Sequence, residues 1–567
     1  MTPPPLPRLP DALDLRDWDA IAAQFQAILD RPLSTAEVPA WLADCSAWSE
    51  RLQEAMSLVS IEYSRDTTDP ARKEAYMHMV REVMPKARAI EQVFKERLLA
   101  TGWEGPGMEE ALRQFRAEAA LFRAENLPLM AETQALGARY DEIIGGLTVQ
   151  FDGAERTLSQ LRPYRESPDE DVRRGSWQLA MGRYLEVRSD LDGLFDQLLG
   201  LRRQIAANAG YANFRDYSWQ RMGRFDYTPE EAETFHEAIH DTVVPALARR
   251  AARRATLLGQ DHLRPWDVDV DPYSAMPLKP FGDGAALASG SERILQQVRP
   301  ILGQRVAEMA AGGLLDLDNR KGKAPGGYCS TLPQRGLPFI FMNAVGTDDD
   351  LRTMLHEAGH AFHVFETRDL PLAWQRHAPM EFCEVASMAM ELLAAPYIER
   401  AAGGFYEPAE ARRSRIGHLE RMLFFLPYMA TVSAFQHWIY ANPDHDHAAR
   451  DAQWLRLHQA NCVGEDWSGH EDSRASLWHQ KLHIFRAPFY YIEYGIAQLG
   501  ALQVWRNSRK DPEAALQQYL GALALGGTKG LRDLYRAAGV ELALTAETIA
   551  PLVAMIEDEI SRLEAEI

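Results

Sequence analysis

His356-Glu357-Ala358-Gly359-His360 sets two imidazoles and a carboxylate at a spacing that metal chemistry uses. On an α-helix, side chains four residues apart leave one face about 40° apart around the axis, so both rings can reach a single ion. Glu357 then lies beside that ion, where a carboxylate can take the proton of an activated water; this is the arrangement of zinc-dependent hydrolysis. The chain spells the pattern twice, because His236-Glu237-Ala238-Ile239-His240 matches it too. A third donor separates the copies. In helical enzymes of this chemistry the third ligand is a Glu on a second helix, roughly two dozen residues downstream. Glu384 stands 24 residues beyond His360, whereas the next glutamate after His240 is Glu292, 52 residues on. The other known spacing, HExxHxxGxxH, would need Gly and His where the chain has Val243 and Ala246. His356, His360 and Glu384 are therefore the candidate ligands of one Zn2+ per chain and Glu357 the candidate general base. His236 and His240 read as a solvated or capping pair on an ordinary amphipathic helix.

The elements that must hold these groups are legible around them. Apolar residues recur at helical spacing from Leu351 to Phe365, and Thr347-Asp348-Asp349-Asp350 supplies a cap with acids at the positive helix end. Upstream, Gly326-Gly327-Tyr328-Cys329-Ser330 and Leu337-Pro338-Phe339-Ile340-Phe341-Met342-Asn343 flank Pro333-Gln334-Arg335-Gly336, which predicts a hairpin. Its edge could pair with an extended peptide, or the hairpin could be a small structural sheet. A second cluster runs from His483 through Pro488-Phe489-Tyr490-Tyr491-Ile492-Glu493-Tyr494. Pro488 is placed for a first helical position, after which Tyr490 and Tyr494 share a face; such rings suit an oxyanion or, equally, a core.

Elsewhere the helical period dominates, over runs from Asp17 to Leu29, Ala47 to Ile61, Pro70 to Leu99, Gly107 to Ala124, Leu129 to Leu147, Gly153 to Ser159, Ser167 to Ala207 and Pro229 to Leu258. Between Gly259 and Ser291, Pro, Gly and Asp mixed with aromatics predict a structured loop. The fold class expected is mainly α, with a small β-sheet next to the motif helix. Sixty-one basic residues against 81 acidic give a formal charge of −20 over 567 residues, which argues against nucleic acid and anionic membranes as partners. No stretch of 18 apolar residues occurs, and Met1-Thr2-Pro3-Pro4-Pro5-Leu6-Pro7 is no signal-peptide core, so a cytoplasmic protein is expected. Cys45, Cys329, Cys383 and Cys462 have no CxxC spacing and are expected as free thiols. Nothing in the sequence fixes the oligomeric state.

Taken in succession, Gly326-Gly327-Tyr328-Cys329, Pro338 to Asn343, His356 to His363, Glu384-Val385-Ala386-Ser387 through Glu391 and Phe489 to Tyr494 resemble the oligoendopeptidase F branch of the thimet oligopeptidase family. Leu426-Pro427-Tyr428 and Phe435-Gln436-His437-Trp438 fit that branch as well. The resemblance implies a helical ellipsoid with a deep substrate groove and one zinc at its floor, cleaving short peptides and excluding folded proteins. It extends from about Gly210 to the C-terminus, and the expected division is an N-terminal helical lobe, 1–205, and a catalytic domain, 206–567. By the same resemblance His356, His360 and Glu384 bind zinc, Glu357 is the base, and Glu391 either orients a zinc histidine or is a plain surface acid. His363 matches a family histidine but falls about 60° from His360 around the helix, which suits packing or a hydrogen bond. His483, Tyr491 and Tyr494 correspond to substrate-binding residues, Tyr494 sharing the oxyanion with zinc. The spacing from His483 to Tyr494 is 11, one shorter than in the thimet oligopeptidase branch, and this leaves open which tyrosine faces the oxyanion. Two other readings use the same residues. A peptidyl-dipeptidase or carboxypeptidase could carry these ligands, and Glu-x-x-His spacings at Glu233, Glu237 and Glu357 are those of di-iron helical bundles.

Overall fold

Helical periodicity becomes helix over 68% of the chain in the computed structural model. The structure describes residue 6 and residues 9–567; the rest of the proline-rich start, 1–5, 7 and 8, lies outside the described residues. Helix starts follow local chemistry. Thr228 and Glu231 form a reciprocal capping box at the head of the helix Pro229–Leu257, and proline occupies an early position in Pro70–His78, Pro300–Ala311 and Pro512–Leu523. Two long runs are broken. Pro85 offers no N–H to the preceding turn, and a π segment, Met79–Val83, separates Pro70–His78 from Met84–Ala100. The run from Ser167 likewise divides into Glu170–Glu186 and Arg188–Asn208 at Val187.

Two expectations need correction. From Gly153 to Ser159 the chain is not helical; Thr148–Phe151 pairs antiparallel with Ala154–Thr157 across Asp152-Gly153, both at positive φ (52° and 72°). Asp-Gly with that geometry is a tight hairpin turn, whose twist matches the strands it joins. Pro488 does not open a helix either. Ala487 to Tyr491 form turns, Phe489 has φ of 67°, and the helix begins only at Ile492.

Contact clustering divides the chain into two units, each of three separated stretches. Unit 1 comprises residues up to Ala120, Leu278–Ala411 and Ala497–Leu542. Its sheet has three strands, β1 (Leu315–Asp318), β2 (Tyr328–Leu332) and β3 (Leu337–Ala344), in the order β1, β3, β2, with the middle strand β3 parallel to β1 and antiparallel to β2. The expected hairpin is therefore present, joined by a strand, Leu-Asp-Leu-Asp, too short to stand out in sequence. Phe339, Ile340 and Phe341 are wholly buried, and β3 and β2 pack on the helix Asp348–Thr367. Asp316 on β1 gathers Arg65, Arg320 and Lys323 at 2.6 to 3.0 Å, tying the helix Val38–Arg65 to the sheet. Farther along that helix, Trp41 stacks on Phe94, which stacks on Trp374 at 4.7 Å.

Unit 2 comprises Leu121–Pro277, Arg412–Ile496 and Ala543–Ile567. Trp177, Trp266 and Trp467 form one of its apolar clusters. Buried Arg202 donates to the Tyr440 hydroxyl and to the Ile484 and Phe485 carbonyls, and Arg224 pairs with Glu493 at 2.8 Å with both side chains buried. Residue 205, where the sequence division was drawn, falls inside the helix Arg188–Asn208 and inside unit 2. The four cysteines are free thiols. Among the described residues no helix is long and apolar enough to cross a membrane.

Candidate active site

The motif helix Asp348–Thr367 starts on a capping box in which the Thr347 hydroxyl accepts from the Asp350 N–H and the Asp350 carboxylate accepts from the Thr347 N–H at 2.8 Å. Glu384 lies on the helix Met380–Ala394. Gly359 permits the two helices to touch: a Cβ there would sit 2.5 Å from the Ala386 carbonyl oxygen and 2.6 Å from Ser387 Cα. The contact delivers the three donors to one place. Glu384 Oε2 is 3.4 Å from His356 Nε2 and 3.7 Å from His360 Nε2, and the His356 and His360 rings stand 5.0 Å apart, almost perpendicular. Tetrahedral zinc with bonds of about 2.0 to 2.1 Å spaces its ligand atoms about 3.3 Å apart, so this donor set fits the ion with little adjustment. It is the one such group of three among the described residues.

Two of the three candidate ligands are held from behind. His356 Nδ1 lies 2.8 Å from Glu391 Oε1, so Glu391 fixes the ring with Nε2 turned to the ligand set. The Ser387 hydroxyl, one turn past Glu384, lies 3.2 Å from Glu384 Oε2 and 3.0 Å from its carbonyl. Buried Tyr519 donates to the Ala386 carbonyl at 2.6 Å. Glu357 is buried beside β2, where the Cys329 N–H donates to it, and its Oε2 has no hydrogen-bond partner. A buried carboxylate oxygen without a donor is costly unless a ligand, water or ion completes it.

The charges agree with a cation site. Burial opposes a charge on His356, but Glu384 and Glu391 raise its imidazole to about 10. Glu384, buried as well, is nevertheless lowered by His356 and His360. Burial, with His356 close by, takes His360 down to about 4, leaving it neutral and able to ligate. Burial raises Glu357 to about 7, and Glu384 and Glu391 push the same way against His356. His363 is buried, its Nε2 has no partner, and burial lowers it to about 3; it belongs to the packing and not to the ligand set.

The profile of peptidase family M3 matches residues 163–552, well over half of the chain, and that of the M3 N-terminal domain matches residues 13–120. The chain belongs to peptidase family M3. Oligopeptidase PepF of Bacillus subtilis is 22% identical over 470 residues, covering 77% of this chain and 66% of that protein. An oligoendopeptidase F homolog of Borreliella burgdorferi is 23% identical over 308 residues, covering 52% and 49%. The chain thus matches about two thirds of the first relative and half of the second. Similar solved structures extend over nearly everything: PZ peptidase A at 27% identity and TM-score 0.88, with 98% of this chain and 99% of that one covered, and a Bacillus anthracis protein described as an oligoendopeptidase F at 25% and 0.82, with 98% of each.

The stretch His483 to Tyr494 lies in unit 2 and forms a cluster of its own. The His483 ring is 4.8 Å from that of Tyr491 and 6.0 Å from that of Tyr494, and Tyr494 meets Tyr490 at 5.4 Å. The turn before the helix Ile492–Ser508 is pinned by Gln436, which accepts the Phe489 N–H at 2.8 Å, and by Arg224, which donates to the Phe489 carbonyl and to Glu493. Neither Gln436 nor Arg224 had a role in the sequence; only the family's Phe-Gln-His-Trp string marked Gln436. Of the second His-Glu-His pair, His240 is exposed as expected, whereas His236 is not solvated, and neither caps its helix. His236 is buried in mid-helix with its ring 5.4 Å from His437, and His240 Nδ1 lies 3.0 Å from Asn461 Oδ1. Gly359 and Ser387 were also missed as organisers of the site, because their effect depends on which helix packs where.

Proposed function

We propose that this protein is a zinc-dependent endopeptidase hydrolysing internal bonds of short, unstructured peptides in the cytoplasm. One observation carries this reading: a glutamate oxygen 3.4 and 3.7 Å from two histidine nitrogens, all three donors within 4.8 Å of one another, next to a buried carboxylate with one unpartnered oxygen. When bound, zinc supplies Lewis acidity, polarising the scissile carbonyl and acidifying water. Glu357 takes the proton of the attacking water on its free oxygen and later passes it to the leaving amine; a carboxylate raised to about 7 can do both near neutral pH. Cys329 N–H and the β2 edge hold Glu357 in place for both transfers. Glu391 keeps His356 oriented, and Ser387 steadies Glu384. Tyr494, with Tyr491 and His483 beside it, donates to the oxyanion by the family resemblance, and neutral phenols suit that task.

The test is digestion of peptides of graded length, with and without a chelator, alongside elemental analysis. About one zinc per chain and chelator-sensitive internal cleavage are expected. Release only of C-terminal residues or dipeptides would move the reading to a carboxypeptidase or peptidyl-dipeptidase, and two irons per chain would end it.

A further inference from the structure

Three lysines in this chain are drawn well into the protein, and two of them have carboxylate partners. Lys95 meets Glu91 and Glu118, and Lys323, with no exposed side-chain surface, meets Asp316. Lys481 differs. Its ammonium lies 3.3 Å from the Tyr491 hydroxyl, 4.7 Å from the centre of the Tyr491 ring and 4.8 Å from that of Tyr428. Those two rings stand nearly perpendicular, 6.3 Å apart, and Phe425 backs Tyr491 at 5.7 Å. No carboxylate pairs with Lys481 among the described residues. Burial alone pushes the amine down to about 8, and no neighbouring acid lifts it. An ammonium has three N–H donors, and the Tyr491 hydroxyl takes one. The aromatic faces stabilise the positive charge without neutralising it. The residue is not fully buried and keeps part of its surface exposed. It also sits two residues before His483, whose ring packs on Tyr491, so the same tyrosine joins the ammonium to the proposed substrate-binding cluster.

We propose that Lys481 is a specificity-determining residue that takes a carboxylate of the peptide substrate. The aromatic corner of Tyr428 and Tyr491 holds the ammonium in place, and the carboxylate supplies the anion that the fold leaves out. A peptide carries this group at its C-terminus or on Asp and Glu side chains. The assignment rests on the peptidase reading above. It gives short acidic or free-acid peptides an advantage that length alone does not.

The experiment uses the full-length zinc-loaded protein and matched peptides in two arms near pH 7, where the amine is charged. One arm compares a free C-terminal acid with its amide, in a sequence without Asp or Glu. The other keeps the amide and compares Glu with Gln at each position in turn. Wild type should favour the carboxylate roughly ten- to hundredfold in kcat/KM in one arm, mainly through KM, and that arm names the source. Lys481→Met and, as a second uncharged variant, Lys481→Gln should bring the ratio to about one, and Lys481→Arg should keep most of it. Reading the ratio within each variant cancels any general loss through Tyr491. Equal rates for both members of every pair in wild type, or a preference that survives in Lys481→Met, overturn the assignment. Cleavage of no peptide at all by the zinc-loaded wild type would sink the peptidase reading instead, a result distinct from cleavage without preference.

Discussion

Glu357 concentrates the chemistry in one side chain, so its replacement is the most direct test at the scale of residues. Glu357→Gln keeps shape and leaves the three ligands untouched; zinc content should stay at wild type while turnover falls on the order of 10² to 10⁴. Retained turnover would put the base elsewhere. Tyr494→Phe removes a hydroxyl and almost no volume, and loss of one oxyanion donor costs on the order of 10² to 10³ in turnover with little change in KM. A tyrosine with only a packing role would lower the melting temperature instead, and measuring both for Tyr490, Tyr491 and Tyr494 separates the cases. His236→Ala with His240→Ala should leave zinc binding intact, but because His236 is buried the double variant should melt earlier. Residue identity was the part of the site most open to reading. The His-Glu-His spacing follows from helix geometry, and the 24-residue step to Glu384 from the spacing that helical enzymes of this chemistry use. Ser387 and Lys481 were not legible, because a hydroxyl beside a ligand and a lysine without an acid become visible only once neighbours distant in sequence are known.

The two ligand helices act as a pair through Gly359, and at this scale a single methyl group is informative. Gly359→Ala would place a carbon 2.5 Å from the Ala386 carbonyl oxygen, with backbone and not a flexible side chain in the way. The helices must then separate, at about 1 to 3 kcal/mol of stability, and a zinc competition assay should show metal bound at least tenfold more weakly. Unchanged metal affinity would mean that the contact does not set the ligand geometry. The β1 lock has a pH signature. Burial opposes the charge on Asp316, yet Arg320 and Lys323 hold its carboxyl at about 2, below the ordinary value of 3.8. A depressed acid gives its full contribution above the unfolded pKa and loses it as pH falls through the folded one. About 1 to 2 kcal/mol, after allowance for solvent screening, should therefore disappear between about pH 4 and pH 2. Asp316→Asn should be less stable at neutral pH and lose less on acidification; parallel denaturation curves over that range would remove Asp316 from the account. Elements with long, strong periodicity were read correctly from sequence, the motif helix and the hairpin before it among them. Gly153 to Ser159 failed because a two-residue turn outweighs a short helical pattern, and β1 escaped because a four-residue strand buried on one edge carries almost no period of its own.

All three proposed zinc ligands and Glu357 belong to unit 1, and the tyrosine cluster belongs to unit 2. Metal that binds only the folded form stabilises it by mass action, about 2.7 kcal/mol at a hundredfold excess over the dissociation constant. Removing zinc should therefore lower the melting temperature and, by hydrogen exchange, loosen the helices Asp348–Thr367 and Met380–Ala394 while sparing the tryptophan cluster around Trp177. Equal loosening in both would show that the units open together. The mainly helical class was plain from periodicity, but the interleaving was not, because a division near residue 205 follows where the family resemblance begins along the chain, whereas the units follow contacts across it. That interleaving bears on how the protein is made. Each unit takes its last stretch from beyond residue 496, so neither can close while those residues are still inside the ribosome. At roughly 5 to 20 residues per second the emerging chain waits on the order of half a minute or more with apolar helix faces uncovered, which is the interval in which chaperones engage a nascent polypeptide. Stalling synthesis just short of residue 497 should leave both units protease-sensitive, the early one included.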